Sequence, residues 1–191
     1  MSANLSTKLY CGKLVRLAAL DMQKDTELWA RWNQDSEFQQ LSDWAPARVF
    51  STKQIRDWME KNIDTLYSFS IQTLADGKTI GQVDLSGVNW TAGDAWLGVG
   101  IGEREYWGKG YGSEAVNLIL RFGFEQLNLR RVSLNVFEYN ERAIRSYHKL
   151  GFKIEGRQRQ FLNRFDRRWD VIYMGILRSE WEACQEEPSQ E

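Results

Sequence analysis

The chain has 191 residues and a formal net charge of −1, and 42% of its residues are hydrophobic. This length and apolar content predict one domain with an ample core and an ordinary soluble surface. The charge gives no footprint for nucleic acid, and no run of about 20 apolar residues predicts a membrane span. The first residues lack the apolar segment of a signal peptide, so we expect a cytoplasmic protein.

Cysteine and histidine usage narrows the possible chemistry. The two cysteines, Cys11 and Cys184, lie near opposite ends of the chain and indicate no disulfide framework. The single histidine, His148, excludes a histidine-rich metal site and leaves one possible base for a Ser–His or Cys–His mechanism. We therefore expect no metal, and chemistry that depends on carboxylates, tyrosine, water and backbone groups.

Hydrophobic periodicity and turn residues predict an α/β (α+β) domain over residues 10–180, between flexible tails at 1–9 and 181–191. The expected architecture is one mixed sheet of about six to seven strands with helices on both faces. The predicted elements are a strand at 13–17, a helix at 21–34, a short turn at 35–41, a helix at 51–62, strands at 66–74, 79–88 and 95–101, a helix from 113, a strand at 131–137, a helix after 140, and strands at 152–160 and 168–177.

The two helices before the first hairpin have two possible roles. They either pack over a sheet edge or form a wall for a second substrate, and both roles are compatible. Trp29, Trp32 and Trp44 lie in this region and fit either core packing or an aromatic substrate wall. At the start of the second helix, Ser51 and Gln54 have the spacing of a capping box.

The stretch from 97 to 113 carries the strongest local signal. It begins as an apolar strand containing Gly98 and Gly100, which suit a backbone that another group approaches closely. Before the next helix, glycines stand at alternate positions, namely Gly108, Gly110 and Gly112. Glycines with positive φ and a helix N-terminus present backbone N–H groups to an anion. The stretch therefore predicts a phosphate cradle, and the alternative is a glycine-rich turn without a ligand.

Two common phosphate loops do not fit this spacing. A Walker A loop needs four residues between its first glycine and Gly-Lys-Ser/Thr, whereas five residues separate Gly102 from Gly108 and Gly110 replaces the hydroxyl residue. A Rossmann loop needs a different glycine spacing and an acidic residue about 20 residues further on, where this chain has none. Both mismatches disfavour a nucleotide-phosphate enzyme.

The loop resembles the acetyl-CoA loop of the GNAT N-acetyltransferase superfamily, Gln/Arg-x-x-Gly-x-Gly/Ala. Gly110 and Gly112 fill the glycine positions, whereas Trp107 stands where Gln or Arg is commoner. Residues 140–152 are similar to the second GNAT motif, Asn-x-x-Ala-x-x-x-Tyr-x-x-x-Gly-Phe, in full. The resemblance spans about 13–177 and belongs to the broad group that contains ribosomal-protein N-terminal and polyamine acetyltransferases.

The resemblance implies a single GNAT-type domain that transfers an acetyl group from acetyl-CoA by direct attack of a primary amine, with both substrates bound together. The strand ending at Ile101 is expected to pair with the pantetheine arm, and a backbone N–H of Val99 or Gly100 to meet the oxyanion. Lys109 faces phosphate or solvent, and Asn140 contacts the CoA arm, caps its helix, or does both. The residues expected to bind acetyl-CoA are Val99, Gly100, Ile101, Trp107, Gly108, Lys109, Gly110, Tyr111, Gly112 and Asn140.

Two residues are candidates for proton transfer. By the family pattern Tyr147 protonates the departing thiolate, and the alternative is a core tyrosine. An amine with a pKa of about 10 must lose a proton before attack, and Asp84 is the first candidate for the base or the ammonium anchor. Asp94 and Glu103 are weaker candidates, because a solvated charge in a turn is the favoured interpretation of both. A water relay without a dedicated carboxylate is a further alternative.

The acceptor is either a small amine such as a polyamine or the α-amine of a protein, with Tyr147 favouring the small amine. Intact Tyr147 also disfavours the main alternative, a non-catalytic acyl-CoA-binding module that regulates a partner. Homodimers are frequent in this superfamily, so a homodimer is possible. Arginines crowd the C-terminal hairpin, where a solvated face is favoured over contacts with an acidic acceptor or the CoA 3′-phosphate: Arg157, Arg159, Arg164, Arg167 and Arg168.

Overall fold

A computed structural model describes residues 9–62 and 66–186, and within them the predicted α/β architecture is confirmed. The strands are β1 (Val15–Ala18), β2 (Leu66–Thr73), β3 (Thr79–Asn89), β4 (Asp94–Ile101), β5 (Arg131–Phe137), β6 (Lys153–Arg164) and β7 (Arg167–Leu177). The helices are α1 (Met22–Trp32), α2 (Ser36–Ser42), α3 (Thr52–Asn62), α4 (Tyr111–Arg121), α5 (Glu141–Lys149) and α6 (Arg178–Glu186). A 3₁₀ turn (Arg104–Tyr106) precedes α4 and a π-helical turn (Phe122–Gln126) follows it.

The seven strands form one mixed sheet in the order β1-β2-β3-β4-β5-β7-β6. Of the strand pairs in the described residues, only β4 and β5 run parallel. Their pairing covers just Asp94–Trp96 against Arg131–Ser133, after which the two strands separate. The sheet therefore opens into a V-shaped gap between the ends of β4 and β5.

Capping side chains define where several helices begin. Asp21 accepts bonds from the backbone N–H groups of the first turn of α1, each at 3.1 Å. The predicted capping box of α3 is confirmed, because Ser51 N donates to Gln54 Oε1 at 2.9 Å and Gln54 N donates to Ser51 Oγ at 3.3 Å. These bonds satisfy N–H groups that a helix leaves free at its start.

Helices cover both faces of the sheet, as predicted. On one face α4 buries Ala115, Ile119 and Leu120 completely in the main core. On the other face α1 lies over β2, where the buried Asp25 accepts a bond from the Ser70 hydroxyl. A smaller apolar cluster joins α1 to α3 through Ala30, Ile55 and Met59.

Two predictions about secondary structure are wrong. The stretch predicted as a turn at 35–41 forms α2, which Asp35 caps through bonds to the N–H groups of Glu37 and Phe38. The tail predicted over 181–191 is helical as far as Glu186, because Trp181 is only 6% exposed and its ring lies 5.3 Å from that of Phe124. Residues 1–8 of the predicted N-terminal tail, and 187–191, lie outside the described residues.

The first turn of α4 is tied to the beginning of the chain by Glu114. Its carboxylate accepts bonds from the backbone N–H groups of Lys13, Leu14 and Val15 at 2.7–2.8 Å. A Cβ at Gly12 would lie 2.5 Å from the same carboxylate, so a larger residue there would push the carboxylate out of its present position. None of the helices in the described ranges is both long enough and apolar enough to cross a membrane.

Candidate active site

The gap between β4 and β5 is the floor of a cleft of about 840 Å³. One side is formed by β4 residues 97–101 and the other by β5 residues 135–137. Helices α1 and α2 contribute Trp29, Phe38 and Ser42, while the glycine loop and α5 complete the wall. Since β4 pairs with β5 only as far as Trp96, the following part of β4 has no partner strand on the side of the cleft.

The glycine loop has the geometry of an anion cradle. Gly108 and Gly110 have φ values of 71° and 89°, which an L side chain rarely adopts. Gly110 is the N-cap of α4, and no side chain in the described residues satisfies the first N–H groups of that helix. A Cβ at Gly112 would meet only Ile101, at 3.5 Å. The helix N-terminus can therefore bind a phosphate group.

Trp107 has a structural role in this loop. Its indole Nε1 donates to the Ile101 carbonyl at 2.6 Å, which closes the turn between β4 and α4. The guanidinium groups of Arg104 and Arg142 lie 5.0 Å and 4.2 Å from the centre of the Trp107 ring. Arg104 also pairs with Asp35, at 2.5 Å and 2.7 Å. The loop is thus joined to α2 and α5.

Three cations on α5 that line the cleft were not predicted from the sequence. Arg142, Arg145 and Lys149 recur at i, i+3 and i+7 and so share one face of the helix. This spacing is the signal that could have identified them. Partial burial of its guanidinium against the Trp107 ring lowers the pKa of Arg142. Three cations beside an anion cradle suit a ligand with several phosphate groups.

Most of the residues predicted to bind acetyl-CoA line the cleft. They are Val99, Gly100, Ile101, Trp107, Gly108, Gly110, Gly112 and Asn140. Asn140 also caps α5, accepting from Ala143 N at 3.2 Å, so its two proposed roles are compatible. Lys109 and Tyr111 are not among the lining residues. Lys109 is exposed, and the Tyr111 ring packs against Tyr106 at 4.9 Å.

Tyr147 lies on the cleft-facing side of α5. Its ring is half-buried and contacts Phe152, with 5.8 Å between the ring centres. Burial raises the pKa of Tyr147 to about 12, so the phenol keeps its proton at neutral pH. In the described residues no group hydrogen-bonds to its hydroxyl. Tyr147 can therefore donate a proton to a group in the cleft.

Asp84 lies on β3, opposite Gly98 of β4. A Cβ at Gly98 would lie 2.5 Å from Asp84 Oδ2, so the glycine makes room for the carboxylate. Burial raises the pKa of Asp84 to about 6, and within the described ranges its carboxylate has no hydrogen bond or ion pair. A carboxylate that titrates near 6 can accept a proton at neutral pH.

The predicted glycine strand is approached by side chains on this face. A Cβ at Gly100 would lie 3.3 Å from the Phe38 ring. Trp29 also lines the cleft, with 5.7 Å between its ring centre and that of Phe38. Trp32 is buried behind them, whereas Trp44 is 60% exposed. An aromatic wall is therefore present, but it consists of Trp29 and Phe38 and not of the three predicted tryptophans.

The interpretation of Glu103 as a solvated turn charge is wrong. Its side chain accepts from the Trp32 indole at 2.8 Å and pairs with Arg31 and Lys78. Burial raises the pKa of Glu103, but these three partners outweigh burial and hold the pKa below its ordinary value. Glu103 therefore holds the loop after β4 to α1.

The C-terminal arginines predicted to form a solvated face do not line the cleft. Arg164 donates to four backbone carbonyls between Gln40 and Ala45 at 2.7–3.3 Å and so fixes the segment after α2. Arg157 pairs with Glu138 at 2.9 Å and with Asp170 at 3.0 Å. Both arginines have structural partners.

Comparison with known proteins agrees with this geometry. Residues 15–153 match the family model of the acetyltransferase (GNAT) domain. The chain belongs to the GNAT acetyltransferase family. The relatives described next are named as N-acetyltransferases.

Three relatives illustrate the range of the family. YdaF of Bacillus subtilis, provisionally named a ribosomal N-acetyltransferase, is 30% identical over 129 residues, which are 68% of this chain and 69% of YdaF. The spermidine N(1)-acetyltransferase of Escherichia coli is 35% identical over 103 residues, covering 54% of this chain and 55% of that enzyme. The spermidine N-acetyltransferase of Vibrio cholerae, solved with CoA and spermine, has a TM-score of 0.79 at 25% identity and covers 88% of this chain and 98% of its own.

Proposed function

We propose that this GNAT protein transfers the acetyl group of acetyl-CoA to a primary amine, by direct attack while both substrates are bound. One observation carries the proposal. The cleft at the β4–β5 gap has an anion cradle at one end, and it contains both a protonated tyrosine, Tyr147, and a carboxylate that titrates near neutrality, Asp84. Acetyl transfer to an ammonium group needs a proton acceptor and a proton donor of this kind.

The residues of the cleft fit acetyl-CoA. The turn at Gly108 and Gly110 and the free N–H groups of α4 would hold the pyrophosphate, with Arg142 close by. The free edge of β4 would bind the amide groups of the pantetheine arm as an added strand. When bound, acetyl-CoA supplies an acyl group activated as a thioester. Within the described residues no cluster of three or more His, Cys, Asp or Glu side chains could hold a metal ion.

The two titratable residues then have separate roles. Asp84 accepts a proton from the incoming ammonium, which leaves the nitrogen lone pair free to form the bond to the acetyl carbon. Tyr147 donates its proton to sulfur as the carbon–sulfur bond breaks. Afterwards Asp84 releases its proton to water and the Tyr147 phenolate takes up a proton from water, so both groups return to their starting states. The elevated pKa values of both groups fit these directions of transfer, since Asp84 accepts a proton more readily than an exposed aspartate.

The acceptor class rests on the relatives and on the charge of the cleft. The solved neighbour with spermine and the Escherichia coli relative are both spermidine acetyltransferases, whereas YdaF is named for ribosomal acetylation. A primary amine, either a small molecule or a protein α-amine, is common to these activities. Asp84 supplies the negative charge that attracts such a group.

Thiol release from acetyl-CoA tests the proposal directly. Purified protein is mixed with acetyl-CoA and a panel of polyamines, monoamines, amino acids, aminoglycosides and short peptides, and free thiol is followed with time. Release that depends on an amine supports acetyl transfer. Tight calorimetric binding of acetyl-CoA without release on any acceptor would instead support a non-catalytic acyl-CoA-binding module. Absence of acetyl-CoA binding would contradict both.

A further inference from the structure

Asp84 belongs to a polar row on one face of the sheet. Ser68, Asp84 and Gly98 are register partners across β2, β3 and β4, and Gln82 pairs with Gly100 in the adjacent row. Opposed residues of paired strands, and alternate residues of one strand, share a face. Gln82 and Asp84 therefore lie together on the face that α1 and α2 cover, and both line the cleft.

Two neutral polar groups beside Asp84 have no partner in the described structure. Gln82 is only 6% exposed and its Oε1 atom is buried without a hydrogen bond. The Ser68 hydroxyl, opposite Asp84, is also buried without a partner. Burying a polar group without a partner is unfavourable, so native proteins rarely leave one unpaired. The Gln82 oxygen and the Asp84 carboxylate both accept hydrogen bonds, so together they are complementary to a ligand that carries several N–H donors.

The aromatic wall completes a binding site for such a ligand. Trp29 and Phe38 stand over Gly100, which is the register partner of Gln82, so both rings lie next to Gln82 on this face of the sheet. Aromatic faces attract cations, and a primary ammonium has three N–H donors. A carboxylate, a carboxamide oxygen and two rings are therefore complementary to an alkylammonium group. Of these neighbours of Asp84, Trp29 was a candidate from the sequence for an aromatic substrate wall, whereas Gln82 and Phe38 were not.

We infer that Asp84, Gln82, Trp29 and Phe38 bind the acceptor as an ammonium ion, and that the acceptor carries one such group and not several. The inference rests on the proposed function and narrows its substrate class. Of the described residues that line the cleft, Asp84 is the only carboxylate, whereas the charged groups of α5 there are all cations. The described part of the cleft therefore supplies one negative charge, which matches an acceptor with one ammonium group.

A second ammonium on the same molecule has no counter-charge within the cleft. Removing an unpaired cation from water is unfavourable, and the described lining residues offer no second carboxylate to offset that cost. A polyamine therefore gains nothing from its additional charges. A monoamine with an apolar substituent avoids this cost and buries its chain against the Trp29 and Phe38 rings. The expected acceptor thus differs from the spermidine named for the structural neighbours.

Butylamine and 1,4-diaminobutane form a matched pair, because they share one carbon chain and differ by one amino group. We expect kcat/KM for butylamine to exceed that for 1,4-diaminobutane at least threefold. Trialaninamide tests whether the single ammonium can be a peptide α-amine, and its acetylation at a rate comparable to that of butylamine would identify the protein source. A tenfold preference for 1,4-diaminobutane or spermidine would overturn the inference and leave the proposed function intact.

Two variants test the role of Gln82. Gln82→Leu removes the carboxamide oxygen and is expected to raise KM for butylamine at least tenfold without changing the Kd of acetyl-CoA. Gln82→Glu adds a second carboxylate and is expected to shift the ratio of kcat/KM values at least tenfold toward 1,4-diaminobutane. Gln23→Leu, at an exposed position of α1, is the control and should change neither value. An unchanged KM in Gln82→Leu together with an unchanged ratio in Gln82→Glu would overturn the assignment.

Calorimetry separates failure of this inference from failure of the proposed function. Butylammonium chloride and 1,4-diaminobutane dihydrochloride are titrated into the protein saturated with CoA, where no transfer can occur. Stronger binding of butylammonium, weakened at least tenfold in Gln82→Leu, supports the ammonium site even if no amine is acetylated. Equal or stronger binding of 1,4-diaminobutane overturns it, whatever the turnover.

Discussion

Replacing Asp84 with asparagine is expected to make the protein more stable and less active. The pKa of this carboxyl is raised from 3.8 to about 6 by burial, so the folded state holds an ionised group that it disfavours at neutral pH. The difference corresponds to about 3 kcal/mol at 1.36 kcal/mol per pK unit. Asparagine has nearly the same shape and carries no charge. Asp84→Asn should therefore raise the free energy of unfolding by about 3 kcal/mol at pH 8.

The effect has a definite pH dependence. Because the folded pKa is the higher one, the folded state binds the proton first as pH falls, and wild-type stability rises between about pH 6 and pH 4. Between pH 8 and pH 4.5 the wild-type protein regains about 2 kcal/mol of the 3 kcal/mol. The advantage of Asp84→Asn should therefore shrink to about 1 kcal/mol at pH 4.5.

Urea unfolding at pH 8 and pH 4.5 measures both values, and acetyl transfer is assayed on the same samples. Asp57→Asn, at an exposed position of α3, is the control and should change stability by less than about 0.5 kcal/mol at either pH. The reasoning is refuted if Asp84→Asn is no more stable than wild type at pH 8, or if its advantage is equal at the two pH values. Full activity in the variant would remove Asp84 from proton transfer.

Further expectations concern the donor, the cradle and the C-terminal helix. Tyr147→Phe should lower kcat about 100-fold or more with an unchanged calorimetric Kd for acetyl-CoA, and unchanged turnover would exclude the donor role. In wild type, kcat/KM should rise with pH through about 6 as Asp84 loses its proton, and a flat profile there would contradict this. Gly110→Ala should weaken acetyl-CoA binding and lower the free energy of unfolding by about 1–2 kcal/mol, because alanine is strained at positive φ. Gly77→Ala, also at positive φ, is the control and should lower the free energy of unfolding without changing acetyl-CoA binding. Trp181→Ala should cost about 3–5 kcal/mol in urea unfolding, and a loss below about 1 kcal/mol would mean that α6 is not docked.

The fold class and most elements could be predicted because their signals are local. The strand at 131–137 has its predicted bounds, and the capping box at Ser51 and Gln54 forms as expected. Hairpin turns, helix caps and apolar periodicity each involve a few neighbouring residues. The tail prediction failed because it followed the polar residues of this stretch. The one aromatic residue there, Trp181, packs against Phe124, which is far away in the sequence.

The candidate site could be predicted only in part. The glycine loop and Tyr147 have motifs with fixed spacing, whereas Gln82 has none and is distinguished only by its burial beside Asp84. The separation of β4 from β5 depends on strands more than 30 residues apart and leaves no local pattern. Glu103 was misinterpreted for the same reason, since its partners Arg31 and Trp32 come from a distant helix.

The anchoring of Glu114 affects how the chain can be shortened or extended. A carboxylate in the first turn of a helix competes with an anionic ligand for the N–H groups there. In this protein the three N–H groups from Lys13 to Val15 engage both carboxylate oxygens and draw the charge toward β1. A truncation or fusion that disturbs residues 13–15 would release Glu114 to block the cradle at Gly110. We therefore expect a disturbed N-terminal segment to lower the anion affinity of a loop about a hundred residues away.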